Sequence, residues 1–421
     1  MKSELKTYQL EEIALNICDG VHNTVIDDEN GDCLLLSAKN IQNGRIIFDD
    51  TDRKINRELC DKLKKRTHLS KNDIAITTVG ANVGDLAIIG DGSENYEFQR
   101  SVGLIKTNTA IADSIYLFYL LGTKSFNYFF HVIATGSAQP CLFLGTLNKI
   151  KVTLPALSKQ KRIASILSAY DNLIENNNKR IKILEQMAEN LYKEWFVRFR
   201  FPGHETTPLE NGIPKGWKIE EIKNISTVTD GVHNTIQDTP NSQYLLLSCK
   251  NIKDGKLQIG DDERTIDEET FLKLRKRTLL AKGDVLVTSV GTIGDVLLLN
   301  QEPSHIEFQR SVAIIKPNKK FVNSSFLYEM LKSMRKELEN AAHGAAQQCL
   351  FIGDINRMKI CLPPLETCLF FEKKVQKIYD LILTLTNQSD NLIKQRDLLL
   401  PRLMSGKQEI SNGRNNEHYS K

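Results

Sequence analysis

The chain has 421 residues, 41% of them hydrophobic and 26% charged, too many for one ordinary core and too apolar for wholesale disorder. A net charge of +4 and a pI near 8.4 are too mild to mark a nucleic-acid binder by themselves. The eight cysteines (18, 33, 60, 141, 249, 349, 361 and 368) form no C-x-x-C pair, which argues against a zinc site and for a reduced, cytoplasmic setting. The opening MKSELKTYQLEE lacks the apolar core of a signal peptide, and no apolar run approaches membrane-spanning length, so no membrane partner is expected.

In chain order, Leu34–Leu36 and Ile74–Thr78 read as short strands, with Asn72-Asp73 as the turn before the second. Gly80 to Gly84 closes a hairpin, and Ile115–Phe130 reads as helix. Then come 44 residues, Ser158 to Phe201, without Gly or Pro, bounded by Pro155 and Pro202-Gly203. Within them Ile163, Ile166, Tyr170, Leu173, Asn177, Arg180, Leu184, Met187 and Leu191 recur at steps of three and four, a heptad seam with a polar pair at its middle. Ser158 is placed to cap this helix. A helix this long spans about 65 Å and cannot bury its stripe alone. Its partner lies in the same chain. Leu365 to Leu400 again lacks Gly and Pro, with the seam Val375, Ile378, Ile382, Leu385, Ser389, Leu392, Arg396, Leu399 and Leu403. The pair predicts an intramolecular antiparallel coiled coil, its polar seam residues fixing register.

Most of what precedes the first helix returns before the second. Asp19-Gly-Val-His-Asn-Thr24 recurs unchanged as Asp230 to Thr235, and Leu34 to Ile41 recurs as Leu245 to Ile252 with one change. Lys62 to Gly80 matches Lys273 to Gly291 at 11 of 19 positions, and Glu97-Phe-Gln-Arg-Ser-Val102 recurs as Glu307 to Val312. Ala138-Gln-Pro-Cys-Leu-Phe143 resembles Ala346 to Phe351, and Ser325–Asn340 repeats the helical pattern of Ile115–Phe130. Each copy ends in Leu-Pro, at Leu154-Pro155 and Leu362-Pro363, and the second opens through Gly212-Ile-Pro-Lys-Gly-Trp217. The expected class is α+β: two duplicated mixed α/β domains, 1–157 and 203–364, with spacer helices at 158–202 and 365–406 and a disordered tail at 407–421.

No GxxxxGK[ST], GxGxxG or [ND]PP[FYW] sequence is present, and no catalytic residue, cofactor or metal ligand is assigned. Of the eight histidines only His22 and His233 recur. The Asp-Gly-Val-His-Asn-Thr loop is either structural or offers His22, Asn23 and Thr24, and likewise His233, Asn234 and Thr235, to a partner. Lys62, Lys64, Lys65 and Arg66 are mirrored by Lys273, Arg275, Lys276 and Arg277; such clusters either neutralise DNA phosphates or end a solvated helix. Gln99, Arg100 and Ser101, repeated as Gln309, Arg310 and Ser311, are residue types that recognise bases and phosphates. Lys39-Asn40 and Lys250-Asn251 follow the first strand of each copy, where a loop can point at a groove. Gln139 and Gln347 are weaker candidates, and the Gly80 and Gly291 turns read as plain turn chemistry.

The domain–helix–domain–helix order, the Pro214-Lys-Gly-Trp217 opening, the Leu-Pro-x-Leu lead into each helix and the closing Arg396-Asp-Leu-Leu-Leu-Pro-Arg-Leu-Met-Ser-Gly406 resemble a type I restriction-modification specificity subunit over residues 8 to 406. The family commonly has Glu-Gln at its helix starts; here Ser158-Lys159-Gln160 and Glu366-Thr367 each keep half of that pair. The resemblance implies two target-recognition domains, each reading one half of a bipartite site on double-stranded DNA. It implies helices that hold the domains apart and dock methyltransferase (modification) subunits, and a motor-nuclease (restriction) subunit that joins for cleavage. Methyl transfer to adenine and cutting then belong to the partners, and this chain is no enzyme. Because the two copies share their polar loops, the half-sites are expected to be nearly identical and inverted. The alternatives are a recognition protein for a type II-like methyltransferase-nuclease and a coiled-coil scaffold joining two protein-binding domains.

Overall fold

The computed structural model describes residues 5–136, 139–260, 262–344 and 348–406; the expected disordered tail and Gln347 lie outside them. The chain divides into two compact units. Unit 1 runs to Asn176 and takes in the chain from Ser389, and unit 2 is Asn177–Gln388. Each unit therefore holds one duplicated domain with part of both long helices, where the sequence predicts separate domain and spacer segments.

Unit 1 opens with β1 (Lys6–Gln9), β2 (Ala14–Asp19), β3 (Cys33–Leu36), β4 (Arg53–Ile55) and helix α1 (Arg57–Thr67). There follow β5 (Ile74–Thr77), β6 (Leu86–Ile88), β7 (Tyr96–Phe98) and β8 (Val102–Thr107). Then come α2 (Ser114–Leu121), α3 (Lys124–Ile133), α4 (Leu144–Asn148) and β9 (Lys151–Leu154). The expected single helix over 115–130 is two, broken at Gly122-Thr123, where Thr123 is extended. An antiparallel sheet runs β2-β8-β5-β6, a smaller one runs β4-β3-β7 with β3 and β7 parallel, and β1 pairs with β9. Strand β5 is buried on both faces, as its unbroken apolar run requires. Asn56 caps α1 by accepting the Leu59 amide, and Asp113 caps α2 by accepting the Tyr116 amide.

The first long helix, α5, is Leu157–Tyr192, so Ser158 lies within it and not at its cap. It widens into a π-turn at Lys193–Val197. Unit 2 repeats the plan. It contains β10 (Lys218–Glu221), β11 (Ser226–Asp230), β12 (Tyr244–Leu247), β13 (Thr265–Ile266) and α6 (Glu268–Thr278). It continues with β14 (Val285–Thr288), β15 (Val296–Leu298), β16 (Ile306–Phe308) and β17 (Val312–Pro317). It ends with α7 (Ser324–Ser333), α8 (Arg335–Asn340), α9 (Ile352–Arg357), β18 (Lys359–Leu362) and the second long helix α10 (Leu365–Met404). Its sheets run β11-β17-β14-β15, β13-β12-β16 and β10-β18.

Of the seam expected on α10, Val375, Leu385, Ser389 and Leu403 are buried and the positions between them half-buried, while Tyr379, next to half-buried Ile378, is buried as well. On α5 every second seam position moves by one. Leu173 and Met187 are 54% and 52% exposed, while Ile174, Ile181 and Ala188 are 8%, 1% and 0% exposed. The buried series is therefore Ile163, Leu167, Ile174, Asn177, Ile181 and Ala188, and Arg180 faces out. In unit 1, Ile163 and Leu167 share a core with Leu403, and Leu399 packs against it. In unit 2, Tyr192 and Trp195 share a core with Phe371 and Val375.

Polar contacts seat the helices on each domain. In unit 1, Gln160 is 1% exposed; its Oε1 accepts the Asp113 amide at 2.9 Å and its Nε2 donates to Pro155 O at 2.8 Å. In unit 2 the direction reverses, and Asn323 Nδ2 donates to Cys368 O at 2.7 Å. A tyrosine–carboxylate pair is likewise exchanged. Tyr119 on α2 donates to Asp171 on α5, whereas Tyr379 on α10 donates to Glu329 on α7 at 2.9 Å. Arg396 adds an ion pair to Asp171 at 2.5 Å.

Cys33 and Cys60 form a disulfide between β3 and α1, correcting the expectation of reduced cysteines for this pair. The equivalent residues in unit 2, Tyr244 and Phe271, stack with ring centroids 4.4 Å apart. Both solutions fill the same joint between a strand and a basic helix. Among the described residues, no helix is long and apolar enough to cross a membrane.

Candidate nucleic-acid interface

Strand β2 delivers Asp19 to one surface of unit 1, and the next residue must be glycine. A Cβ on Gly20 would lie 2.1 Å from Phe98 O, and one on Gly231 would lie 2.0 Å from Phe308 O. These glycines permit close packing of two segments; they do not serve the turn that Asp-Gly suggests. Val21 N donates to Phe98 O at 2.7 Å and Arg100 N donates to Val21 O at 3.0 Å, so the Asp19 loop lies alongside Gln99-Arg100. The same two bonds, 2.9 and 3.0 Å long, recur for Val232 with Phe308 and Arg310.

Asp19 then organises two side chains. His22 Nε2 lies 2.6 Å from its Oδ2, and Arg66 Nη2 donates to its Oδ1 at 2.5 Å. In unit 2, His233 Nε2 lies 2.6 Å from Asp230 Oδ2, and Arg277 donates to Asp230 O at 3.0 Å. His22, Asn23, Thr24 and their counterparts His233, Asn234 and Thr235 are exposed.

The basic helix divides by its own periodicity. Lys64 points inward to Ser93 O, and burial pulls its amine below the usual lysine range. Arg275 also points inward, bonding Glu307 and the carbonyls of Pro303 and Ile306. These two are structural. Lys65, Arg66, Lys276 and Arg277 remain on the exposed side. One position on, Thr67 and Thr278 are buried against Glu97 and Glu307.

Asn40 and Asn251 correct the sequence expectation most clearly. Each is 1% exposed. Asn40 donates to Ile47 O and Asp52 and accepts the Ser37 amide; Asn251 donates to Gln258 O and Glu263 and accepts the Ser248 amide. A buried amide must be paired, and these bonds within the unit use both amides to hold the loop. Lys39 and Lys250 stay exposed, paired with Asp52 at 2.9 Å and Glu263 at 3.0 Å.

Arg100 and Arg310 are exposed, Gln99 and Gln309 half-buried. Ser101 and Ser311 use their hydroxyls to accept the amides of Ala38 and Cys249 at 3.2 and 3.1 Å. The structure also joins two further segments to this one. Thr78 N donates to Ser101 O at 2.9 Å, Leu142 N to Thr78 O at 2.8 Å, and Gly80 N to Pro140 O at 3.0 Å. Thr78 therefore joins the Arg100-Ser101 segment to the Pro140–Leu142 segment, and Ser289 makes the matching bonds to Ser311 and Leu350 at 2.9 and 2.8 Å. Beside them Phe143 and Phe351, 60% and 58% exposed, occupy helix N-cap positions without a capping bond. The recurrence of Ala-Gln-x-Cys-Leu-Phe was the signal for this strip.

Each unit thus presents lysine and arginine cations, an Asp-held histidine and a glutamine on one surface. That set can pair phosphates and base edges. Among the described residues, no cluster of His, Cys, Asp and Glu could hold a metal ion.

The family model described as "Type I restriction modification DNA specificity domain" matches residues 2–186 and 214–400. The chain is 27% identical over 389 residues to the type I restriction enzyme MjaIX specificity subunit of Methanocaldococcus jannaschii, covering 90% of this chain and 88% of that one. It is 26% identical over 361 residues to the MjaVIII specificity subunit of the same organism, covering 83% and 82%. A crystal structure of a type I restriction-modification S subunit from M. genitalium superposes with a TM-score of 0.58 at 13% identity, covering 96% of each chain; that likeness concerns the fold.

Proposed function

This chain belongs to the type I restriction-modification DNA specificity family, and from that premise we propose that its two faces read the two halves of one bipartite double-stranded DNA target. The observation that carries the reading is the recurrence of one outward set of side chains. Lys39, Lys65, Arg66, Arg100 and His22 in unit 1 match Lys250, Lys276, Arg277, Arg310 and His233 in unit 2. Because the readers match, the half-sites are the same or nearly so. The start of α5 shares a core with the end of α10, and the end of α5 with the start of α10. This antiparallel order favours inverted half-sites around a spacer. The two long helices act as a coiled-coil ruler. Exposed Leu173, and in unit 2 Ile183 and Met187, supply apolar docking points for methyltransferase subunits, with a motor-nuclease subunit joining for cleavage. The chain is non-catalytic and works in the cytoplasm, directing adenine methylation and cutting by those partners.

A gel shift with the host's target-bearing DNA against random duplex, with and without a co-expressed methyltransferase subunit, tests this. Preference for the target that strengthens with the methyltransferase subunit supports the reading. Equal affinity for both DNAs in both conditions refutes it.

A further inference from the structure

Behind each reading face lies a carboxylate that the face does not display. Glu97 and Glu307 are both 0% exposed, on β7 and β16, just before Gln-Arg-Ser. Glu97 accepts Thr67 Oγ1 at 2.5 Å and the Phe98 amide at 2.8 Å. Glu307 accepts Thr278 Oγ1 at 3.0 Å and the Arg275 guanidinium. Thr67 and Thr278 are the last residues of the basic helices α1 and α6, one position beyond Arg66 and Arg277. One buried group therefore ties the end of the basic helix to the strand that delivers Arg100 or Arg310.

Two features set this joint apart from ordinary packing. Burial pushes both carboxyls above the usual carboxylate range, the direction expected when an ionisable group is taken out of water. The residue after each threonine, His68 or Leu279, adopts left-handed backbone with φ of 47° and 48°, disfavoured outside glycine and held only where its surroundings over-determine it. Both copies thus accept a cost to hold this helix end in one place. Its displacement would move Arg66 on Asp19, and Asp19 also holds His22.

We propose that Glu97 and Glu307 are positioning residues for sequence reading, each setting the discrimination of its own unit's half-site. The proposal rests on the function proposed above. The test replaces the chromosomal gene with Glu97→Gln or Glu307→Gln, keeps the full complex, and sequences methylated adenines genome-wide. Thermal unfolding of each purified variant is measured alongside. We expect each variant to relax base preference in one half only, by about tenfold at the affected positions, with the other half as in the wild type. Thr67→Val and Thr278→Val, which keep the carboxylate and remove its hydroxyl donor, should produce the same half-restricted loss and stand in if a glutamine variant does not fold. Equal weakening of both halves in step with a lower melting temperature overturns the proposal, as does an unchanged motif in all four variants. If the wild type itself yields no two-part motif, the underlying functional reading fails, and that outcome is distinguishable because it precedes any substitution.

Discussion

Ile181→Ala and Met187→Ala separate the seam observed on α5 from the one its spacing suggests. Ile181 is 1% exposed and Met187 52%. Truncating Ile181 removes about three buried methylene equivalents, worth about 0.8 kcal/mol each. The cavity left behind brings the cost to about 3 kcal/mol. Met187 already has half its surface in water, so its truncation should cost less than about 1 kcal/mol. In a unit of this size 1 kcal/mol moves the melting temperature by about 2–4 °C. Ile181→Ala should therefore lower the transition of unit 2 by roughly 6–12 °C by calorimetry, and Met187→Ala by no more than about 4 °C. Equal losses, or a larger loss for Met187→Ala, would refute the observed register.

Arg100→Ala and Arg310→Ala should each weaken specific binding by about 1–3 kcal/mol if they read bases; a lower salt slope with specificity intact in a titration would make them phosphate contacts. Burial raises the Glu97 carboxyl above its ordinary value of 4.5, so between 4.5 and the raised value the folded chain binds this proton more tightly than the unfolded chain does. The stability from this group is present below 4.5 and lost as pH rises through the raised folded value. The melting temperature of the wild type relative to Glu97→Gln should accordingly rise as pH falls from neutral toward that value, and a pH-independent difference would count against the buried carboxylate. Matched removal of helix turns from α5, between Ile163 and Leu191, and from α10 should shorten the spacer of the methylated motif and leave both half-sites unchanged; altered half-sites would contradict the ruler.

The duplication, the two long helices and the strands at Leu34 and Ile74 were legible because repeats and heptads are written in side-chain order. The seam register on α5 was not. Ile166-Leu167, Leu173-Ile174 and Met187-Ala188 offer two apolar neighbours at each step, so spacing cannot choose between them; only Arg180-Ile181 discriminates, and there the three-and-four spacing lands on Arg180. Asn40 and Lys39 look equally available in sequence, yet the amide is buried among Ile47, Asp52 and Ser37 while the lysine stays outside. Glu97 was hidden by its neighbours: in Glu-Phe-Gln-Arg-Ser the polar run draws attention, and only packing shows the glutamate as the inward anchor. Thr78 carries no signal in the sequence, because only backbone bonds across long sequence separations, to Ser101 and from Leu142, join it to the Arg100 segment.

The central claim is that this chain chooses the DNA sequence, with two matched readers. Sequencing methylated adenines in host cells with the gene intact and deleted tests it most directly. The account predicts a two-part motif with the same or nearly the same inverted halves, lost on deletion. Halves that are unrelated, or a motif that persists without the gene, would contradict it.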